Sequence, residues 1–341
     1  MKYKFSLFNK IFIIGIIILF VGMVVNPSSG ILLDRKFSDP ISKGRTLYVG
    51  GLGPGNYTSI QAAINDANDG DTVFVFDDSS PYVENVRLNK VINLVGEDKN
   101  STVIDGDFGE SVISIDVDGV YIKGFTIQNS VQDGYYLDYY CGIDIRSNNN
   151  IIRDNIISDN FNGISIGRID SEPHLYNNKI EDNIIIENNW GITIFRGNNN
   201  LLLKNFIKFN GYGIRIYYHS KNNLITLNNI SQNKYGILTN AADNITIIKN
   251  SIFKNEIGVY ISYSSNFKVI ENNIFGNLQE LFFVLFSINF RSDWIYHKFD
   301  ANYWGKDKEP PIIIEGKMHF LRFHFKIYKV DKNPALESYN I

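Results

Sequence analysis

Cysteine is almost absent from this chain. Cys141 is the one example in 341 residues, so no intrachain disulfide is available and the fold must be held by packing and hydrogen bonds. No histidine or other base is placed beside it by a motif, so Cys141 reads as a partly buried thiol in a loop, not a nucleophile. Soft metal ligands are equally scarce: three methionines (Met1, Met23, Met318) and five histidines (His174, His219, His297, His319, His324). Only His319 and His324 are close, and five apart on one strand they do not share a face, so neither a metal site nor a cofactor is expected. A charge excess is missing as well. Lys plus Arg is 33 against Asp plus Glu 36, a net charge of -3, which excludes a global basic field and makes nucleic acid no expected partner.

What is abundant is asparagine, and it is periodic. One column reads Asn149, Asn177, Asn199, Asn222, Asn244, Asn266; a second Asn155, Asn183, Asn205, Asn228, Asn250, Asn272; a third Asn160, Asn188, Asn210, Asn233, Asn255, Asn277. All three step by 28, 22, 23, 22 and 22 residues, so they belong to one repeating unit. A period of this length announces a solenoid. Apolar residues recur around the second column, as in Ile157, Ile185, Ile207, Ile230, Ile252, Ile274 after it and Ile152, Ile180, Leu202, Ile225, Ile247, Val269 before it. A Gly-led segment adds pairs two apart, such as Ile143 with Ile145 and Ile214 with Ile216. A spacing of two is a strand. Three short strands in about 22 residues leave no room for a crossover helix, so the coils stack directly. The asparagines are read as architecture. Asn tolerates the left-handed conformation at turns, and its amide can bond the equivalent amide one coil away.

The expected fold is all-β: a right-handed parallel β-helix, three strands per coil, with a short N-terminal capping helix and a C-terminal cap. Residues 1–30 are a signal peptide or N-terminal membrane anchor, 31–46 a linker, 47–277 the β-helix and 278–341 a C-terminal cap and tail. The first segment combines Lys2, Lys4 and Lys10 with an uncharged run from Ile11 to Val25. Its 15 residues are short for a spanning helix, yet no Ala-x-Ala site follows, so cleavage and anchoring both stay open. The expected location is extracellular or cell-surface, with membrane contact only through residues 11–25 if they are uncleaved. Four sequons begin at Asn56, Asn100, Asn229 and Asn244. Ser59 or Thr58 is a candidate N-cap for a helix running to about Asn68.

Specific stretches resemble known proteins. Ser59-Ile60-Gln61-Ala62-Ala63-Ile64, Gly70-Asp71-Thr72-Val73, Tyr82-Val83-Glu84-Asn85-Val86 and Thr102-Val103-Ile104-Asp105-Gly106 resemble the opening of pectate-lyase-like right-handed β-helices. The repeats resemble those of copper-accessory NosD-like and carbohydrate-binding archaeal surface proteins, and Asn302-Tyr303-Trp304-Gly305 looks like the motif that closes such helices. The resemblance covers about Leu47 to Gly305 and implies fold, not activity. It leaves three functions open: a carbohydrate-binding or structural interaction module, a polysaccharide lyase or glycosidase acting on an acidic polysaccharide, and a periplasmic-type copper accessory protein.

The breaks in the period are where function is expected. An insertion from Val131 to Cys141 carries Tyr135, Tyr136, Tyr139 and Tyr140; a second, from Gly167 to Tyr176, carries Arg168, Asp170, Glu172 and His174. Both flank one sheet. Its outward positions are Asp144, Ser165, Thr193, Arg215, Leu238 and Tyr260, with Arg146, Phe195, Tyr217 and Ser262 two residues on. Aromatic faces beside Arg and Asp suit a polysaccharide or surface glycan, stacking on sugar rings and bonding hydroxyls or uronates. For catalysis, Asp144 with Asp170 is the one carboxylate pair near this groove. The Asn-Thr-Asp and Gly-His-Gly groups usual in β-helix pectinases are not found.

Overall fold

The computed structural model describes residues 44–131, 140–168, 174–286, 298–306, 312–320, 323–331 and 333–341. Residues 1–30, expected to be a signal peptide or membrane anchor, lie outside the described residues. Among those described, no helix is long and apolar enough to cross a membrane. The strands fall within one compact unit, Phe37–Tyr339.

The chain is a parallel β-solenoid. Two sheets of eleven strands and one of nine are each built from every coil in turn. The first sheet runs from Thr46–Val49 to Lys298–Asp300, the second from Tyr82–Val83 to Asn273–Phe275, and the third from Val86–Leu88 to Phe323–Asp331. Equivalent residues stack in register, for example Ile152 on Ile180, Leu202, Ile225, Ile247 and Val269. Because side chains alternate with period two, this register sends the same column inward on every coil. The columns through Ile152, Ile157, Ile143 and Ile145 are fully buried, as the spacing predicts.

The asparagines divide by role. The first column is left-handed, with φ between 51° and 60° from Asn149 to Asn266. The second and third columns are not. There the left-handed residue is the one before, such as Asp154, Lys204, Leu227 or Phe209, and the Asn itself is buried, except Asn277 at the end of the third column. Each buried Asn donates its backbone N–H and its amide to the side-chain oxygen one coil on: Asn205 to Asn228 at 2.9 and 3.0 Å, Asn228 to Asn250 at 3.0 and 2.9 Å. The amide also donates to two backbone carbonyls, those of Leu202 and Thr226 for Asn228. A further ladder runs beside the first column, through Asn150, Asn178, Asn200 and Asn223. Upstream, the register is 30 residues and not the 31 that aligning Gly124 and Asn129 with Asn155 and Asn160 suggests, since Ile127 pairs with Ile157. Gly124 (φ 82°) and Asn129 (φ 62°) match Asp154 and Asp159 in conformation, while Phe125 and Ser130 occupy the ladder positions.

The glycine leading each third-sheet strand is a matter of space. A Cβ at Gly213 would lie 2.6 Å from the Gly236 carbonyl oxygen, and one at Gly236 2.5 Å from that of Gly258. Near the N-terminal end, helix α1 (Ile60–Asp66) is capped by the Ser59 hydroxyl, which accepts from Ala62 N–H at 3.1 Å. The Glu84 carboxylate takes the N–H groups of Ile60 and Gln61 at 2.8 and 3.0 Å, and Ile60, Ala63 and Ile64 are buried. Past Asn277, coil register continues through Gln279–Phe286 and Lys298–Asp300, and a hairpin of Ile312–Phe320 with Phe323–Asp331 joins the third sheet. That hairpin makes His319 and His324 register partners on two different strands, not positions on one strand.

Candidate ligand-binding face

The outward column of the third sheet is Arg87, Ser114, Asp144, Ser165, Thr193, Arg215, Leu238, Tyr260 and Phe282, each the register partner of the next. Toward the N-terminal coils it is an ion-pair network. Asp144, fully buried, receives Arg146 Nε at 2.7 Å and Arg168 Nη2 at 2.5 Å on one carboxylate oxygen. Arg146 also reaches Asp116 at 3.4 Å, which binds Arg87. Asp144 is therefore shared between two guanidinium groups. Its predicted catalytic partner, Asp170, lies outside the described residues, as do Tyr135, Tyr136 and Tyr139; Tyr140 is half-buried.

Cys141 is not in a loop. It opens the strand Cys141–Ile145 and is fully buried because its neighbour coils pack on both sides. Burial pushes its thiol well above the ordinary range, and nearby Asp144 adds to the rise. His174 Nδ1 lies 2.8 Å from the Arg196 carbonyl oxygen.

Toward the C-terminal coils the face becomes aromatic around a cation. The Arg215 guanidinium lies 3.5 Å from the centroid of the Trp190 ring and 4.6, 5.3 and 6.0 Å from those of Tyr217, Tyr212 and Phe195. Tyr212 stacks on Tyr235 at 4.9 Å, Tyr235 meets Tyr260 edge-on at 6.0 Å, and Tyr260 stacks on Phe282 at 5.8 Å. Burial raises the Tyr217 phenol, and Arg215 beside it pulls the other way. Of the residues expected from sequence, Phe195, Arg215, Tyr217 and Tyr260 thus come together at one end of the face and Asp144, Arg146 and Arg168 at the other. Trp190, Tyr212 and Tyr235 were not foreseen. Their signal was in plain view, an aromatic residue immediately before the strand glycine in Trp190-Gly191, Tyr212-Gly213 and Tyr235-Gly236.

Residues 99–308 match the family model described as periplasmic copper-binding protein (NosD). The chain belongs to the NosD family. Solved structures similar to this NosD-family chain include XylC in complex with xylose, with 12% identity, a TM-score of 0.55, and 80% of this chain and 71% of that one covered. Pectate lyase Pel9A shares 16% identity at a TM-score of 0.52, covering 77% of this chain and 80% of that one. The A-module of the mannuronan C-5 epimerase AlgE6 of Azotobacter vinelandii shares 19% at 0.51, covering 66% and 74%. At these identities the likeness is one of fold. Comparison with curated proteins finds no match.

The family description names copper, and the donor set can be tested for it. Among the described residues, no three of His, Cys, Asp and Glu come together in a way that would hold a metal ion. Cys141, the one thiol, is buried and held protonated. The described residues therefore do not fit a copper site.

Proposed function

We propose that this NosD-family protein is exported and binds carbohydrate on the outward face of the third sheet. The family's periplasmic description supports export, and the observation that carries the binding function is the run of rings from Trp190 through Tyr212, Tyr235 and Tyr260 to Phe282, one per coil. Coils repeat every ~4.8 Å along the axis, so the rings form a continuous apolar strip on which successive sugar faces can stack. Tyr218, 40% exposed and stacked on Phe195 at 6.0 Å, extends the strip to its solvent side.

A glycan array followed by calorimetry on the hits tests this. The double substitution Tyr218→Ala with Tyr260→Ala removes two stacking surfaces worth about 0.5–1.5 kcal/mol each, so affinity is expected to fall roughly tenfold. Binding to no glycan, or unchanged affinity in the double variant, would sink the proposal. The same preparation is incubated with polyuronate and calcium. Absorbance from unsaturated product would make this face a lyase site instead. Titration with copper is expected to give no heat above buffer, and a stoichiometric heat would restore the metal function.

A further inference from the structure

Among the described residues, three side chains at register positions neighbouring Trp190 or the Arg215 that lies on it carry buried polar atoms without a hydrogen-bond partner. Asn162 is the register partner of Trp190, and Thr193 is that of Arg215, whose guanidinium lies on the Trp190 ring. Both atoms of the Asn162 amide, the Thr193 hydroxyl, and Nε and Nη1 of Arg215 are buried without a hydrogen bond. Asn162 and Thr193 have no exposed surface at all. Buried polar groups are nearly always satisfied, and the ladder asparagines of the same coils are satisfied at every donor. Five orphan atoms around one indole therefore call for a ligand of matching chemistry.

The set is specific about that chemistry. Among the described residues Arg215 is ion-paired to no carboxylate, whereas Arg146 and Arg168 share Asp144. A guanidinium edge presents parallel N–H donors that fit a carboxylate, and Thr193 and Asn162 both donate and accept, as hydroxyl recognition requires. Trp190 and Tyr212 supply ring faces for the C–H side of a sugar.

We propose that Asn162, Thr193 and Arg215 around Trp190 form a subsite for a carboxylate-bearing sugar unit, with its carboxylate on Arg215 and its hydroxyls on Thr193 and Asn162. This rests on the carbohydrate-binding function proposed above and names its substrate class. Tyr212 and Tyr217, both half-buried, lie over the guanidinium. Turning these rings gives access to Nε and Nη1, a rotamer change of the kind that commonly accompanies binding.

Calorimetry with trigalacturonate and with its carboxyl-reduced counterpart tests the subsite on the full chain. The wild type is expected to bind the acidic trimer at least tenfold tighter, with the preference falling as salt rises. Arg215→Gln removes the preference while neutral binding persists, Arg215→Lys keeps only part of it, and Thr193→Val weakens both sugars about threefold. If Arg215→Gln fails to fold, Asn162→Asp serves instead, placing a negative charge beside Trp190 and costing about tenfold in acidic binding alone. Equal affinity of the wild type for the two trimers, or a preference surviving Arg215→Gln, overturns the subsite but leaves carbohydrate binding standing. Crystals soaked with trigalacturonate that show only ordered water on Nε and Nη1 also overturn it. Binding of neither trimer nor any arrayed glycan overturns the underlying function as well.

Discussion

Asp71 shows how one side chain ties the start of the first sheet together. Its carboxylate accepts from the backbone N–H of Asn68 at 2.8 Å and of Arg45 at 2.9 Å, and from Arg45 Nε at 3.2 Å. The bond from Asn68 is the main cause of a carboxyl held below its ordinary range, with Arg45 contributing and burial opposing. A depressed carboxylate adds stability that is present above its unfolded pKa, about 4, and is lost as pH falls through the folded value. Asp71→Asn is therefore expected to lower the urea midpoint at pH 7 and to lose less on acidification to pH 3. Parallel wild-type and variant curves over that range would contradict it. At the same scale, the buried and protonated Cys141 is expected to resist a thiol reagent at pH 8 until denaturant is added, and immediate native labelling would refute this. Its place was readable in the sequence, since Cys141 precedes Gly142 as Trp190 and Tyr212 precede Gly191 and Gly213, but its burial shows only in the register of the third sheet.

The Asn ladder is the element that most rewards a direct comparison. Removing the Asn228 side chain strands the donors of Asn205 and takes a donor from the carbonyls of Leu202 and Thr226. Unsatisfied buried groups cost about 1–3 kcal/mol each, so Asn228→Leu is expected to cost at least 3 kcal/mol, read as a drop in Tm. Asn244→Gly, at an exposed left-handed position whose amide bonds only Asn222 Oδ1 at 2.7 Å, is expected to stay within 1 kcal/mol of wild type, since Gly adopts that conformation freely. Equal losses at the two sites would mean that one role serves all the columns. The period made the strands, their inward columns and the stacking legible, because each depends on spacing alone. It did not separate the left-handed asparagines from the ladder asparagines. Adjacent positions such as Asn149 and Asn150 differ in conformation, not in residue type, so composition is blind to the distinction.

At the scale of the whole solenoid, stability is shared between neighbouring coils, and the ends are where it is weakest. The second ladder cannot stop at Asn272. It passes through Asn272 to Asn302, whose backbone N–H and amide then need an acceptor where the described residues offer no further ladder Asn. Asp331, fully buried, supplies it: one carboxylate oxygen takes Asn302 N–H at 3.1 Å, its amide at 3.3 Å and the Trp304 indole N–H at 3.0 Å. Asn302 and Trp304 belong to a motif that the sequence makes visible, but their acceptor stands 29 residues after Asn302, at the end of a hairpin and outside the repeat, where no periodicity points to it. Asp331→Leu would leave three buried donors orphaned beside an apolar side chain. The expected outcome is loss of hydrogen-exchange protection first at the amides of 268–275 and 298–304, with 151–203 unchanged, because each coil contacts only its neighbours. Asp331→Asn, which keeps an acceptor oxygen, should recover most of that protection. A uniform loss along every coil would mean instead that the solenoid unfolds as one cooperative body and that Asp331 has no special hold on its end.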